Sequence, residues 1–287
     1  MQLCLSQTLC LPQDFLEDVR AFAAAGVPAM AIWLTKLEQA VEKHGLARLR
    51  EAVASRGLTL AAAAGQLGLF WTSGEQRRLT LEQWQRRLAL CQALGIGTMI
   101  VACDFPPARQ ADASTAQYGE AMIDWERATA QLRQAAQLAA SYQVRLALEF
   151  QGRAAGCATL DTLARWLAAC GEPNVGINFD VFHYYIGPSK PEDLAWLSRD
   201  NLFFVELCDL AGVPREWARD THRILPGDGD FRLEPILERL RQIHYAGFVA
   251  VEAPNPDFWA MPAVRVAEAA LGALRRLLTQ HQLACAN

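Results

Sequence analysis

The chain has 287 residues, 52% of them hydrophobic and 20% charged, with 27 Lys and Arg against 31 Asp and Glu for a formal charge of −4. That composition excludes a disordered chain and leaves no basic excess to neutralise a phosphate backbone, so no nucleic-acid partner is expected. No apolar run is long enough to cross a bilayer, and Met1-Gln2-Leu3-Cys4-Leu5-Ser6 lacks the basic start of a cleavable leader, so a cytoplasmic protein with no membrane partner is expected.

Short apolar runs predict strands over residues 2–6, 29–34, 59–64, 98–103, 145–150, 175–179, 202–207 and 248–251. Amphipathic stretches alternate with them. Phe15, Val19 and Phe22 share one helical face, and Gly26 follows as a stop. Thr80 and Gln83 read as a capping box ahead of Leu81, Trp84, Leu88 and Cys91, with Gly95 closing that helix. Leu160, Leu163 and Leu167 form another stripe, ended by Gly171, while Pro235 and Pro262 mark first turns of helices. The cysteines at 4, 10, 91, 103, 157, 170, 208 and 285 include no Cys-x-x-Cys pair and read as reduced core residues.

Eight strands give one strand–helix unit per roughly 36 residues, a comfortable size for parallel strands joined by crossover helices. The strands are continuous apolar runs, as expected of a sheet covered on both faces. No Gly-x-Gly-x-x-Gly follows the first strand and no Gly-Lys-Ser/Thr occurs, which argues against an open nucleotide-binding sheet. With no Gly/Ser/Pro-rich linker either, the expectation is an α/β chain folded as one (β/α)8 TIM barrel, a single domain over 1–287.

Chemistry in such a barrel sits at the carboxyl ends of the strands. Glu149, Asp180, Glu206 and Glu252 close or directly follow the last four strands. Carboxylates embedded in apolar strands are costly unless protonated, paired or bound to a cation. Arg145, Arg153 and Arg223 are near enough in sequence to make a structural ion-pair cluster. Four acids on successive strands favour a divalent metal held by Glu149, Asp180, Glu206 and Glu252. An all-oxygen set suits Mn²⁺ or Mg²⁺ better than Zn²⁺, with Co²⁺ able to substitute.

The ordered segments Leu148-Glu149-Phe150, Asn178-Phe179-Asp180-Val181-Phe182-His183, Val205-Glu206-Leu207-Cys208-Asp209, Arg223-Ile224-Leu225-Pro226-Gly227-Asp228-Gly229-Asp230-Phe231 and Val251-Glu252 resemble the xylose isomerase-like barrel superfamily of sugar isomerases, epimerases and related dehydratases. The resemblance implies metal ligands at Glu149, Asp180 and Glu252, with a fourth on the seventh strand. That fourth ligand is commonly His in epimerases and Gln in some dehydratases; here it is Glu206, whose added charge would make the metal a weaker Lewis acid. Ala155 stands where sugar epimerases often carry a second Glu. Endonuclease IV shares the barrel but relies on several histidines, and this chain has five in all.

Such a site supports proton abstraction beside a carbonyl. Glu149 and Glu252 are the candidate acid/base pair. His183 is a candidate hydrogen-bond donor to a sugar oxygen, set against simple packing of Phe182-His183-Tyr184-Tyr185 over the barrel end. Arg223 could hold a substrate hydroxyl, carboxylate or phosphate, or make a surface ion pair. Asp209 reads as a supporting residue, and Trp33 and Gln66 more readily as packing and loop residues than as pocket walls. The function expected is a metal-dependent isomerase or epimerase of a small sugar or ketose. The alternatives are a dehydratase or lyase of the inosose or 3-dehydroshikimate type, working by β-elimination, and a noncatalytic carbohydrate-binding barrel. The expected partner is a small carbohydrate or polyol; Trp-rich loops leave a homo-oligomer open.

Overall fold

The computed structural model describes residues 1–103, 124–154 and 156–283. Eight parallel strands close into a barrel in chain order: β1 (Gln2–Ser6), β2 (Ala29–Trp33), β3 (Thr59–Gln66), β4 (Thr98–Ala102), β5 (Arg145–Glu149), β6 (Val175–Asp180), β7 (Leu202–Leu207) and β8 (Phe248–Val251). Around it run α1 (Phe15–Ala24), α2 (Leu34–His44), α3 (Leu46–Ala54), α4 (Gly74–Leu94), α5 (Trp125–Ser141), α6 (Leu160–Cys170), α7 (Val181–Ile186), α8 (Glu234–Gln242), α9 (Pro256–Trp259) and α10 (Ala263–Gln280).

The two faces of each strand do different work. Leu3 and Leu5, Met30 and Ile32, Leu146 and Leu148, and Val249 and Val251 join the large core between sheet and helices. The alternate positions Cys4, Ala29, Ala31, Ala62, Ala64, Ile100, Ala147, Phe204 and Ala250 form a second, interior cluster. An eight-stranded barrel is only wide enough for its side chains to fill it. Alanine at six of these places, with Phe204 the largest of the cluster's fully buried members, satisfies that limit.

Local signals explain most helix ends. Asp14 caps α1, its Oδ1 accepting from Leu16 N at 2.8 Å, and Gly26 turns the chain out at φ +73°. Gly95 and Gly171 close α4 and α6 in the left-handed conformation. Two expectations are corrected. The capping box at Thr80 is not one: α4 begins at Gly74, and Thr80 lies buried within it, because the polar segment ahead of Leu81 is itself helical. Pro262 is the residue before α10 rather than inside its first turn, whereas Pro235 does sit in the first turn of α8.

The seven described cysteines are all buried; Cys285 lies outside the described residues. Among the described residues no helix is long and apolar enough to cross a membrane.

Candidate active site

The inward parity of the interior cluster continues to the strand ends. Inward Ala147 is followed two residues later by Glu149, Phe204 by Glu206 and Ala250 by Glu252, so the acids inherit the inward direction. Strand β6 supplies two inward residues, with Asn178 beside Glu149 and Asp180 beside Glu206 in register. A register shift between Ile177 and Asn178 accompanies this, in keeping with bulges that re-aim side chains near sites.

Glu149, Asp180, Glu206 and Glu252 are each at most 8% exposed, and each offers one carboxylate oxygen within 4.8 Å of the others. Glu149 Oε2 accepts from Gln151 Nε2 at 2.8 Å. Glu206 Oε2 accepts from Asn178 Nδ2 at 2.6 Å, while its Oε1 is buried with no partner. Asp180 also caps α7, its Oδ1 accepting from Phe182 N at 2.8 Å.

Arg223 enters the same cluster. Its NH1 donates to Asp180 Oδ2 at 2.7 Å and to Glu252 Oε2 at 2.8 Å, and its NH2 to Asp220 Oδ1 at 2.6 Å. Its guanidinium lies 4.3 Å from the Phe182 ring centre. At 2% exposure it is a buried partner, so the surface ion pair entertained for it is corrected. The other two arginines lie elsewhere: Arg145 stacks on Phe203 and bonds Thr98, and Arg153 bonds the carbonyls of Arg215 and Glu216. His183 Nε2 sits 3.6 Å from Asp180 Oδ2 and 3.9 Å from Glu149 Oε1.

One guanidinium against four carboxylates leaves a buried excess of negative charge, and the titration directions record it. Burial, then Glu206, Asp180 and Glu252, push Glu149 well above the usual carboxylate range. Burial, Glu252 and Asp180 do the same to Glu206. Burial raises Glu252 to about 7, with Arg223 pulling the other way. Burial lowers His183, leaving it neutral near pH 7. Burial opposes the charge on Arg223, but Asp180 and Glu252 hold its pKa well above the ordinary value.

These residues fit a divalent cation. The donor set is four hard oxygens from separate strands, the orphaned Oε1 of Glu206 is a ready ligand, and the charge excess is what a dication neutralises. Asp209 stands apart from this cluster. Its carboxylate accepts from Leu210 N, Gly227 N and Phe231 N at 2.9–3.0 Å, which pins the segment that follows Arg223.

Beside the acids opens a cavity of about 310 Å³ lined in part by Glu149, Glu206, Glu252, His183 and Arg223. All six residues expected at the site from sequence therefore meet at one barrel mouth. Trp33, read from sequence as packing, also lines this cavity; Gln66 is buried beside it, accepting from Arg87 and donating to Leu67 O. Gln151, Asn178 and Asp220 were not anticipated. Asn178 was detectable from parity, two residues before Asp180, whereas Asp220 has no signal beyond its place three residues before Arg223. Ala155 lies outside the described residues.

Comparison with known proteins places this geometry in a class. Residues 19–277 match the model of the xylose isomerase-like TIM barrel family, and the chain belongs to that family. An inosose isomerase from Bacillus velezensis is 24% identical over 270 residues, covering 92% of each chain. Further inosose isomerases align over about half of their length. A 3-dehydroshikimate dehydratase from Pseudomonas aeruginosa is 27% identical over 259 residues, which span 89% of this chain but 38% of that enzyme. Among solved structures, the IOLI protein with a binding zinc atom superposes with a TM-score of 0.87 at 20% identity, covering 98% of this chain and 99% of that one.

Proposed function

We propose that this chain is a divalent-metal-dependent enzyme that removes a proton beside the carbonyl of a small polyhydroxy ketone and returns it elsewhere, as an isomerase or epimerase. The convergence of four buried carboxylates from consecutive strands on one point carries the reading. Glu149, Asp180, Glu206 and Glu252 would hold the ion, and their hard oxygens favour Mn²⁺ or Mg²⁺. Bound there, the ion supplies Lewis-acid stabilisation of negative charge developing on a substrate oxygen.

Glu149 and Glu252 are the proton carriers in this reading. Glu149 ends β5 and Glu252 directly follows β8, three strands apart around the ring, and in the absence of an ion burial makes both more basic than an ordinary carboxylate. A base whose pKa lies near the working pH both accepts and returns a proton efficiently. Gln151 fixes the orientation of Glu149, and Arg223 that of Glu252. Neutral His183, between Asp180 and Glu149, would hydrogen-bond a substrate hydroxyl.

The test is proton exchange. Metal-loaded protein in D₂O should place deuterium at the carbon next to the carbonyl of an inosose, seen by NMR, and chelation should stop it. No exchange with any divalent ion bound would refute the reading. Dehydration is a second reading, favoured by the full-barrel alignment to a dehydratase and by Glu206 at the fourth ligand position. It keeps the same base but expels a β-hydroxyl, and a growing enone absorbance would establish it.

A further inference from the structure

The cavity has two unlike halves. In a closed ring of eight strands, β2, β3 and β4 stand across from β6, β7 and β8. His183, Glu206, Arg223 and Glu252 line one side, whereas Trp33, Gly65, Leu67 and Ile100 line the other.

Trp33 is built in rather than incidental. A Cβ on Gly65 would lie 3.1–3.3 Å from three atoms of the indole, so the ring rests against the bare Cα, and Gly65 has φ +96°, which also favours glycine. Two polar networks, one buried and one half-buried, fix the strand ends that carry this pair. Gln7 Oε1 accepts from Trp33 N at 2.9 Å, and Gln7 Nε2 donates at 2.8 Å to Asp18, which pairs with Lys36. Arg87 donates to Gly65 O at 3.2 Å and is held by Glu38 at 2.8 Å. An aromatic platform rigidly set opposite a polar floor matches a molecule with an apolar face and a polar edge. A closed carbocycle or pyranose has that shape, with its C–H groups presented on one face. An open chain does not keep such a face.

Resting on the metal-enzyme reading above, we infer that Trp33 is a specificity-determining platform that selects closed-ring polyhydroxy ketones over open-chain ketoses. The probes are myo-inositol, a ring that does not react, and L-erythrulose, a four-carbon ketose too short to close a stable ring, titrated by calorimetry into Mn²⁺-loaded protein. Trp33→Ala should weaken myo-inositol binding roughly tenfold, the scale of one lost aromatic contact, and change erythrulose binding less than about twofold. Trp33→Phe should restore most of the ring affinity. It should also remove the change in tryptophan fluorescence that myo-inositol causes in the parent protein. Equal losses for both probes, an unchanged ring affinity in Trp33→Ala, or no binding of myo-inositol by the parent protein would overturn the inference. Because these readouts are binding, they judge Trp33 even if proton exchange fails and the catalytic reading falls.

Discussion

If four carboxylates and one guanidinium share a buried site, the metal-free protein should lose stability as pH rises. Burial holds Glu252 up at about 7 from an ordinary 4.5, and pushes Glu149 and Glu206 upward as well. In the unfolded chain these groups ionise near 4.5, so between that pH and the folded values the native state binds more protons than the unfolded one. Stability contributed by such a raised group is complete below about pH 4.5 and lost as pH climbs through its folded pKa. For Glu252 alone, a displacement of roughly 2.5 units at 1.36 kcal/mol each is about 3 kcal/mol. Spread over the unfolding entropy of a chain this size, that is about 5 °C of Tm. A divalent ion should reverse the trend, because it binds the ionised form; at a hundred times Kd it returns about 2.7 kcal/mol. The assay is thermal unfolding from pH 5 to 8, with chelator and with Mn²⁺. Glu206→Gln should flatten the chelated profile by removing one buried charge, and should shrink the Mn²⁺ increment. A chelated parent protein equally stable at pH 5 and pH 8, with no metal response at either, would refute the reasoning.

Three further outcomes test other parts of the structure. Glu149→Gln and Glu252→Gln should each lower kcat by about 10²–10⁴ while the chelated Tm stays level or rises, checked by steady-state rates and circular dichroism melts; substantial activity would remove that residue from proton transfer. Asp209→Ala strands three backbone N–H groups and should cost about 3 kcal/mol in urea unfolding, with KM raised as the support behind Arg223 loosens. Phe204→Ala empties the barrel interior and should cost about 3–5 kcal/mol by the same measurement; a loss below about 1 kcal/mol would contradict its placement there.

The barrel and its acids were legible in the linear chain because both follow from a two-residue alternation. Once 145–150 and 248–251 are read as strands, Glu149 and Glu252 must point inward with Ala147 and Ala250. Carboxyl-end boundaries moved at five strands: β2, β4 and β5 stop one residue earlier than expected, β6 runs one further to Asp180 and β3 two further to Gln66. Trp33 was misjudged because a tryptophan at a strand end looks like core. Its position depends on Gly65 of the neighbouring strand, a relation between strands that periodicity within one strand does not carry. Arg223 was placed at the site, but its buried contacts arise only when β6, the β7 loop and β8 close together.

The contrast between this mouth and the other buried charges favours a cation over a purely structural cluster. Away from the mouth the chain meets each buried charge locally: Asp18 pairs with Lys36, and Arg87 pairs with Glu38. Asp193 and Asp209 are held by backbone N–H groups. At the mouth, by contrast, Arg223 reaches Asp180 and Glu252, and among the described residues neither Glu149 nor Glu206 pairs with a lysine or arginine. Leaving buried charge uncompensated is strongly destabilising, and a fold that avoids it elsewhere has the means to avoid it here. A site built with two or three surplus anions is stable when ionised only if a positive ligand arrives from solution.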